Sequence, residues 1–568
     1  MLTNMPSQDS SRFLKEGSKC EVRVRLQEGW VCGVHRLAEN RTHFASFLGL
    51  PYAEQPVGVR RFSELGPVEP WNCLYDASFE GPACPQHNAF YGPLLGSTNM
   101  SEACIYANIH VPLHALPEYK VLRPARHLQP PHEAGLADGT DTGLPILVFI
   151  HGGGFAFGSG STGLYGVSDD PSGINVFGFL SLNSSTIPGN NGLRDIITLL
   201  KWVQTNAKAF GGNPNDVTLG GQSAGASSAH LLSMSLAAEG LFKRVILMSG
   251  TGIPTFFTTS PAYAKFVANL FLSGLGINET NSEDIHKRLI AMPLEYIMEA
   301  NKQLQDKFGL VAFLPVVESP FPDFTTVLDN DPEVLISKGC GKNIPLMIGF
   351  TNAECESFRN TFEKIDMLGQ LQKNPLLILS PNVIYKLPIK MAFEAAQRVI
   401  GRFFNGGPTM DKYIKSCSET FYIYPAMKLA EKRALTGGAP VFLYQYSYEA
   451  DFSVIKESKG LRFDGAGHVE DTTFIFKANA MDDIEGFSPP TRKDQLMIDW
   501  MTMFVKNFID CNDPTRNRRQ LSKWPAASES LPTQYQYIEA PMLYRFMEPT
   551  KDQQEMITFF DNLQNRTS

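Results

Sequence analysis

The feature that most constrains this chain is the pentapeptide Gly221-Gln222-Ser223-Ala224-Gly225. It follows a short strand candidate, Val217 to Leu219, and opens a stretch, Ala224 to Leu236, that reads as a helix. A serine held between strand and helix in a G-x-S-x-G turn has a strained backbone, and glycines on either side remove Cβ atoms that would clash across the turn. The hydroxyl then sits at the positive end of the following helix, where developing negative charge is favoured. G-x-S-x-G also marks ordinary structural turns; the strand-turn-helix context is what points to a nucleophile.

The surrounding pattern agrees with such a turn. Short apolar strands alternate with amphipathic stretches, which predicts an α/β architecture with a mostly parallel sheet. Pro145 to Ile150 (PILVFI) is apolar throughout, as a strand covered on both faces must be. Val245 to Met248, Pro345 to Phe350 and Val441 to Tyr446 read the same way. Lys493 to Phe508 reads as a late helix with Leu496, Trp500, Met503 and Phe504 on its apolar face. Pro117 to Gly143, rich in proline and glycine, reads as a long exposed loop. No domain linker interrupts the rest, so a single domain over 1–568 is expected, with its core at about 22–549.

Further residues complete a chemical proposal. His151-Gly152-Gly153-Gly154-Phe155 follows the PILVFI strand directly. Its backbone N–H groups can approach a ligand closely. Those of Gly153 and Gly154, with Ala224 after the serine, would form an oxyanion hole in which each donor contributes about 3 kcal/mol. A flexible loop or a phosphate cradle are the other readings, and the absence of a following Gly-Lys-Ser/Thr disfavours a P-loop. A serine nucleophile needs a base and the base an orienting acid. His468, one of 11 histidines, lies in the glycine-rich stretch Gly465-Ala466-Gly467 after the last core strand. Glu354 lies just past the Pro345 to Phe350 strand, with Glu356 and Asp471 as competitors. The order Ser223, Glu354, His468 is that of the α/β-hydrolase fold.

Composition excludes several alternatives. The formal net charge is −8 and lysines and arginines form no dense run, which disfavours nucleic acid. No apolar stretch approaches the ~18 residues of a membrane span. The N-terminal segment is polar and lacks the apolar region of a secretory signal, which predicts a cytoplasmic protein if that start is genuine. Sequons nevertheless occur at Asn40, Asn99, Asn183, Asn278 and Asn565. Nine cysteines are too few for a disulfide scaffold.

Taken in order, HGGGF, PGNNGLRD from Pro188, KWVQTNAKAFGGNPNDVTLGGQSAGA from Lys201, ILMSG from Ile246 and GAGHVED from Gly465 resemble the type-B carboxylesterases, the group that includes cholinesterases. The likeness runs from about Val22 to Pro549. ANIHVPLHALP from Ala107 and INVFGFLSLNSS from Ile174 look like the insect juvenile hormone esterase subgroup. The resemblance implies an α/β-hydrolase fold, a small apolar ester as substrate, no cofactor or metal, Glu354 as the acid, and a disulfide between Cys84 and Cys104. It also implies secretion, against the polar start. Gln222 stands where cholinesterases carry glutamate, which favours neutral esters over choline esters.

One departure bears on the fold. Where the family has a core strand, only Ser161 to Ile174 (STGLYGVSDDPSGI) lies between Gly160 and Asn175, with no strand candidate. The sheet is therefore expected to lack a strand, unless Asn175 to Leu180 slides into the vacancy. Unpaired buried ladder groups cost about 1–3 kcal/mol each. Two rivals follow: a non-catalytic binding or adhesion protein on the same fold, and a chain that does not fold stably. The catalytic reading predicts acyl-enzyme chemistry that fails below about pH 6, where an ordinary imidazole takes up its proton.

Overall fold

The computed structural model describes residues 12–15, 19–38, 41–87, 99–117, 143–165, 174–253, 257–308, 312–321, 324–451, 453–479, 489–516 and 523–564. Asn40, Asn565 and almost all of the predicted loop over 117–143 lie outside them. Among the described residues the strands form two sheets. The first has six strands: β1 (Phe13–Leu14), β2 (Val22–Arg25), β3 (Trp30–Leu37), β4 (His43–Pro51), β5 (Leu74–Asp76) and β6 (Tyr106–Pro112). Its order is β1-β5-β3-β4-β6, with β2 paired to β3.

The second sheet carries the site. It has seven strands in chain order: β7 (Leu144–Ile150), β8 (Gly212–Gln222), β9 (Arg244–Met248), β10 (Leu346–Thr351), β11 (Val441–Tyr446), β12 (Tyr535–Ala540) and β13 (Leu543–Met547). All neighbours from β7 to β12 are parallel, and β13 returns antiparallel. One row of the register joins Val148, Leu219, Val245, Leu346 and Val441. Every residue of β9 and β10 is buried, which is why these strands read as unbroken apolar runs. Ile348 is fully buried in β10, and truncating such a side chain to alanine costs about 2–5 kcal/mol.

The expected strand loss is visible as a division. β6 ends one sheet and β7 ends the other. Among the described residues of the interval, Thr162–Tyr165 forms a short helical turn and no strand is present. The alternative, Asn175 to Leu180 sliding into the sheet, is overturned: Asn175–Phe179 is helical. Its asparagine side chain donates to Pro85 O at 2.8 Å, and its backbone N–H bonds Phe155 O at 2.5 Å.

The late helix spans Arg492–Cys511 and begins with a capping box, Thr491 and Asp494 satisfying each other's backbone N–H groups. Its buried face is Met497, Met501, Phe504, Val505 and Phe508, so the predicted face was one row off. Leu496 is 39% exposed. Phe504 packs edge-on against the buried Trp524 at 5.6 Å, and Phe508 edge-on against Phe442 of β11 at 6.1 Å. The helix after the serine is Ala224–Ser233, shorter than predicted, and β8 is longer than the predicted Val217 to Leu219.

Candidate active site

Ser223 occupies the turn between β8 and the helix Ala224–Ser233, with φ 56° and ψ −121°. A non-glycine residue with positive φ is strained, and the turn is held by Ser223 N–H donating to Met248 O at 2.8 Å. The flanking glycines are required by space. A Cβ at Gly221 would strike the Gly225 backbone, and one at Gly225 would strike Ile150 O.

His468 and Glu354 are brought together from separate strand ends. Glu354 follows β10 and is fully buried. Its Oε1 accepts the Thr351 N–H at 2.8 Å and its Oε2 meets His468 Nδ1 at 2.6 Å. The backbones also lock, His468 N–H donating to Glu354 O at 3.1 Å. The competitors are engaged elsewhere. Glu356 pairs with Arg359 at 2.8 Å, and Asp471 accepts the Tyr444 hydroxyl at 2.8 Å. Rings of Tyr422 and Phe358 lie 4.7 and 5.2 Å from the imidazole.

Burial dominates the electrostatics around this pair. It pushes the Glu470 carboxyl up to about 7, partly offset by the Ser453 hydroxyl and the Gly467 N–H that it accepts. Burial, aided by the negative charge of Glu354, raises Asp471 to about 6. The Tyr422 phenol is raised by burial first and by Glu354 second.

The glycine loop after β7 folds as its sequence demands. Gly153 and Gly154 both have positive φ, at 126° and 60°. A Cβ at Gly153 would collide with Phe157 O. The N–H of Gly152 is held by the Tyr165 hydroxyl at 3.1 Å. Ala224 begins its helix, so its N–H has no partner within that helix.

Several features escaped sequence reading. Gln222 is fully buried and its amide nitrogen lies 3.0 Å from His468 Nε2. The Cys84–Cys104 disulfide is present as expected, and two more accompany it, Cys20–Cys32 and Cys355–Cys417. Cys355 adjoins Glu354, so its disulfide anchors the acid's turn to the helix Met410–Ser418. The sequons Asn99, Asn183 and Asn278 are all exposed. Among the described residues no group of three or more His, Cys, Asp or Glu side chains converges as metal ligands would.

Comparison with known proteins assigns the family. The model of the carboxylesterase family matches residues 20–555. A juvenile hormone esterase of Heliothis virescens is 48% identical over 564 residues, covering 97% of this chain and 96% of that protein. The crystal structure of juvenile hormone esterase from Manduca sexta, with OTFP covalently attached, is similar with TM-score 0.88 and 46% identity, covering 96% of this chain and 99% of that one. Esterase FE4 of Myzus persicae is 29% identical over 90% of this chain and 89% of its own. The chain belongs to the carboxylesterase family. It is a carboxylic ester hydrolase on the α/β-hydrolase fold. Relatives named as esterases give the rival non-catalytic reading no support. No described helix of this carboxylesterase is long and apolar enough to cross a membrane.

Proposed function

We propose that this carboxylesterase hydrolyses apolar, uncharged esters through an acyl-enzyme on Ser223, and that its natural substrate is juvenile hormone or a related methyl ester. His468 takes the proton of Ser223 as the hydroxyl attacks the ester carbonyl. Glu354 holds Nδ1 and so leaves Nε2 as the proton acceptor. The N–H groups of Gly153, Gly154 and Ala224 receive the oxyanion. The alcohol leaves with a proton from His468, which then activates water for deacylation. The 2.6 Å contact of Glu354 with His468, together with the strained turn at Ser223, carries the reading. The substrate class rests on the two juvenile hormone esterase relatives and on an uncharged Gln222 beside the serine.

Three disulfides fit an oxidising compartment and support secretion. The cytoplasmic alternative has no such support.

The test is hydrolysis of a short p-nitrophenyl ester, a juvenile hormone ester and a choline ester by the parent and by Ser223→Ala. The proposal expects the first two to be cleaved, the choline ester to be poor, and all activity to vanish in the variant. Activity surviving in Ser223→Ala would overturn the nucleophile, and a preference for the choline ester would overturn the substrate class.

A further inference from the structure

The stretch that presents His468 does not hold its own shape. Gly465-Ala466-Gly467 carries two glycines, and Gly465 has φ 85°. Asn352 and Ser357 press so close that a Cβ at Gly465 or Gly467 would strike their side chains. Glycine answers that packing and leaves the backbone loose. The conformation is therefore imposed from outside. The Ala466 N–H donates to Asn352 Oδ1 at 2.9 Å, and Ala466 O accepts the Ala353 N–H at 3.0 Å. The Gly467 N–H goes to Glu470, and His468 O accepts the Ser357 hydroxyl at 3.1 Å. Two carbonyls on the approach, Phe463 O and Gly465 O, are held by one group. That group is the ammonium of Lys456, at 2.8 and 2.7 Å, on the short helix Val454–Lys459. Its third contact is Glu449 Oε1 at 3.0 Å, and Glu449 Oε2 accepts the Gly465 N–H. Lys456 is buried, so its charge is retained with every N–H matched to an acceptor. An apolar side chain of the same length would fill this space without desolvating a charge, but it cannot hold carbonyls.

We propose that Lys456, braced by Glu449, is a positioning residue for ester hydrolysis: its ammonium clamps the glycine-rich backbone before His468 and so keeps the imidazole in reach of Ser223. The proposal rests on His468 being the base. Lys456 acts through two carbonyls rather than on the imidazole itself. The side chain of Glu449 is 57% exposed, so the ion pair contributes little and the carbonyl contacts provide the hold. The role suits lysine. Three donors on one tetrahedral nitrogen reach three acceptors around it, which a planar guanidinium does not match.

The test compares kcat and KM for a p-nitrophenyl ester, with each preparation normalised to its titratable active sites, beside denaturant unfolding. Lys456→Met keeps the stem and removes the three donors. Its kcat should fall about 10- to 100-fold with KM within about twofold of the parent's. Acylation and deacylation both need the imidazole in place, so kcat falls whichever step limits. Arg433→Met is the structural control. Arg433 is also buried and donates to two carbonyls, Lys342 O at 3.0 Å and Ile344 O at 2.8 Å, at the end of β10 away from Glu354. It should unfold at lower denaturant with kcat within about twofold of the parent's. A parental kcat in Lys456→Met overturns the proposal. So does an equal fall in both variants, since kcat would then follow lost stability. If Lys456→Met does not fold, Glu449→Ala decides. It frees the Gly465 N–H and one ammonium donor, and its kcat should fall by up to about tenfold with KM preserved; a parental kcat there overturns the clamp. His468→Ala separates this from failure of the underlying reading. Activity retained there would remove His468 as base, whereas activity lost there with a parental kcat in Lys456→Met would remove only the role of Lys456.

Discussion

Replacing Glu470 by glutamine should change how the stability of this carboxylesterase depends on pH. Glu470 lies two residues after His468 and is 3% exposed. Burial lifts its carboxyl from 4.5 to about 7. Between those values the folded protein holds a proton that the unfolded chain has released. Stability from this group is therefore fully present below about pH 4.5 and is lost as pH rises through about 7. At about 1.4 kcal/mol for each pH unit between the two values, the loss totals about 3 kcal/mol. Two histidines act with the opposite sign. Burial depresses His230 to about 3 and His110 to about 4, so stability from neutral rings grows as pH rises toward 6.5. The parent's curve is the sum of these effects, and only the difference between variant and parent isolates Glu470. Glutamine keeps the shape, accepts the Gly467 N–H through its carbonyl and offers its NH2 to the Ser453 oxygen. Guanidinium unfolding across about pH 4.5 to 7.5 should show Glu470→Gln gaining up to about 3 kcal/mol on the parent as pH rises. A difference constant to about 0.5 kcal/mol across that range would refute the reasoning, since the carboxyl would then ionise alike in both states.

Three further outcomes follow from the site's construction. Gly225→Ala drives a Cβ into Ile150 O and should lower kcat/KM by about 100-fold or more, through displacement of the serine turn; near-parental activity would contradict the packing. Removing the Cys355–Cys417 disulfide with paired serines releases a 62-residue loop and should cost about 4 kcal/mol in denaturant unfolding, with kcat falling as the Glu354 turn loosens. An unchanged kcat would separate that disulfide from the site. Tyr165→Phe deletes the hydroxyl that holds the Gly152 N–H and should lower kcat about tenfold or less with KM preserved; a change confined to KM would place Tyr165 in substrate binding instead.

Much of the catalytic sheet is legible because its central strands are largely buried and therefore mostly apolar, β9 and β10 throughout and β7 and β11 over most of the part nearest the site. β7, β9, β10 and β11 fall within a residue or so of their predicted ranges for that reason. The first sheet is harder to read. β2 alternates buried and exposed residues over only four positions, too short for its period to stand out. The helix Arg492–Cys511 carries two apolar rows that share Phe504, and only tertiary packing, which buries Met497, Met501 and Phe508, decides between them. Among the site residues, Ser223 is announced by local turn chemistry. Choosing Glu354 over Glu356 and Asp471 depends on contacts between residues far apart in sequence, as does the Gln222 contact across 246 positions. The partner of Cys355, 62 positions away, is hidden for the same reason.

The divided sheet bears unequally on the parts of the site. The proposed nucleophile, acid and base follow β8, β10 and β11, each flanked by strands on both sides. The glycines proposed to hold the oxyanion follow β7, which among the described residues has a strand on one side only. Side chains bridge the other side in place of a ladder. Asn108 of β6 donates to Gly160 O at 2.9 Å, Gln86 accepts the Gly158 N–H at 2.7 Å and donates to Gly158 O at 2.8 Å, and Tyr165 reaches back to Gly152. These bonds tether the glycine loop and the chain leaving it to β6, to the segment at Gln86 and to the helix Thr162–Tyr165. A few side-chain hydrogen bonds of about 1 kcal/mol each replace a row of strand pairs, so local opening should start at this loop and spare the triad. Of the proposed machinery, the capacity to stabilise the oxyanion is therefore the part most exposed to heat and denaturant, and the pairing of Glu354 with His468 the part least exposed.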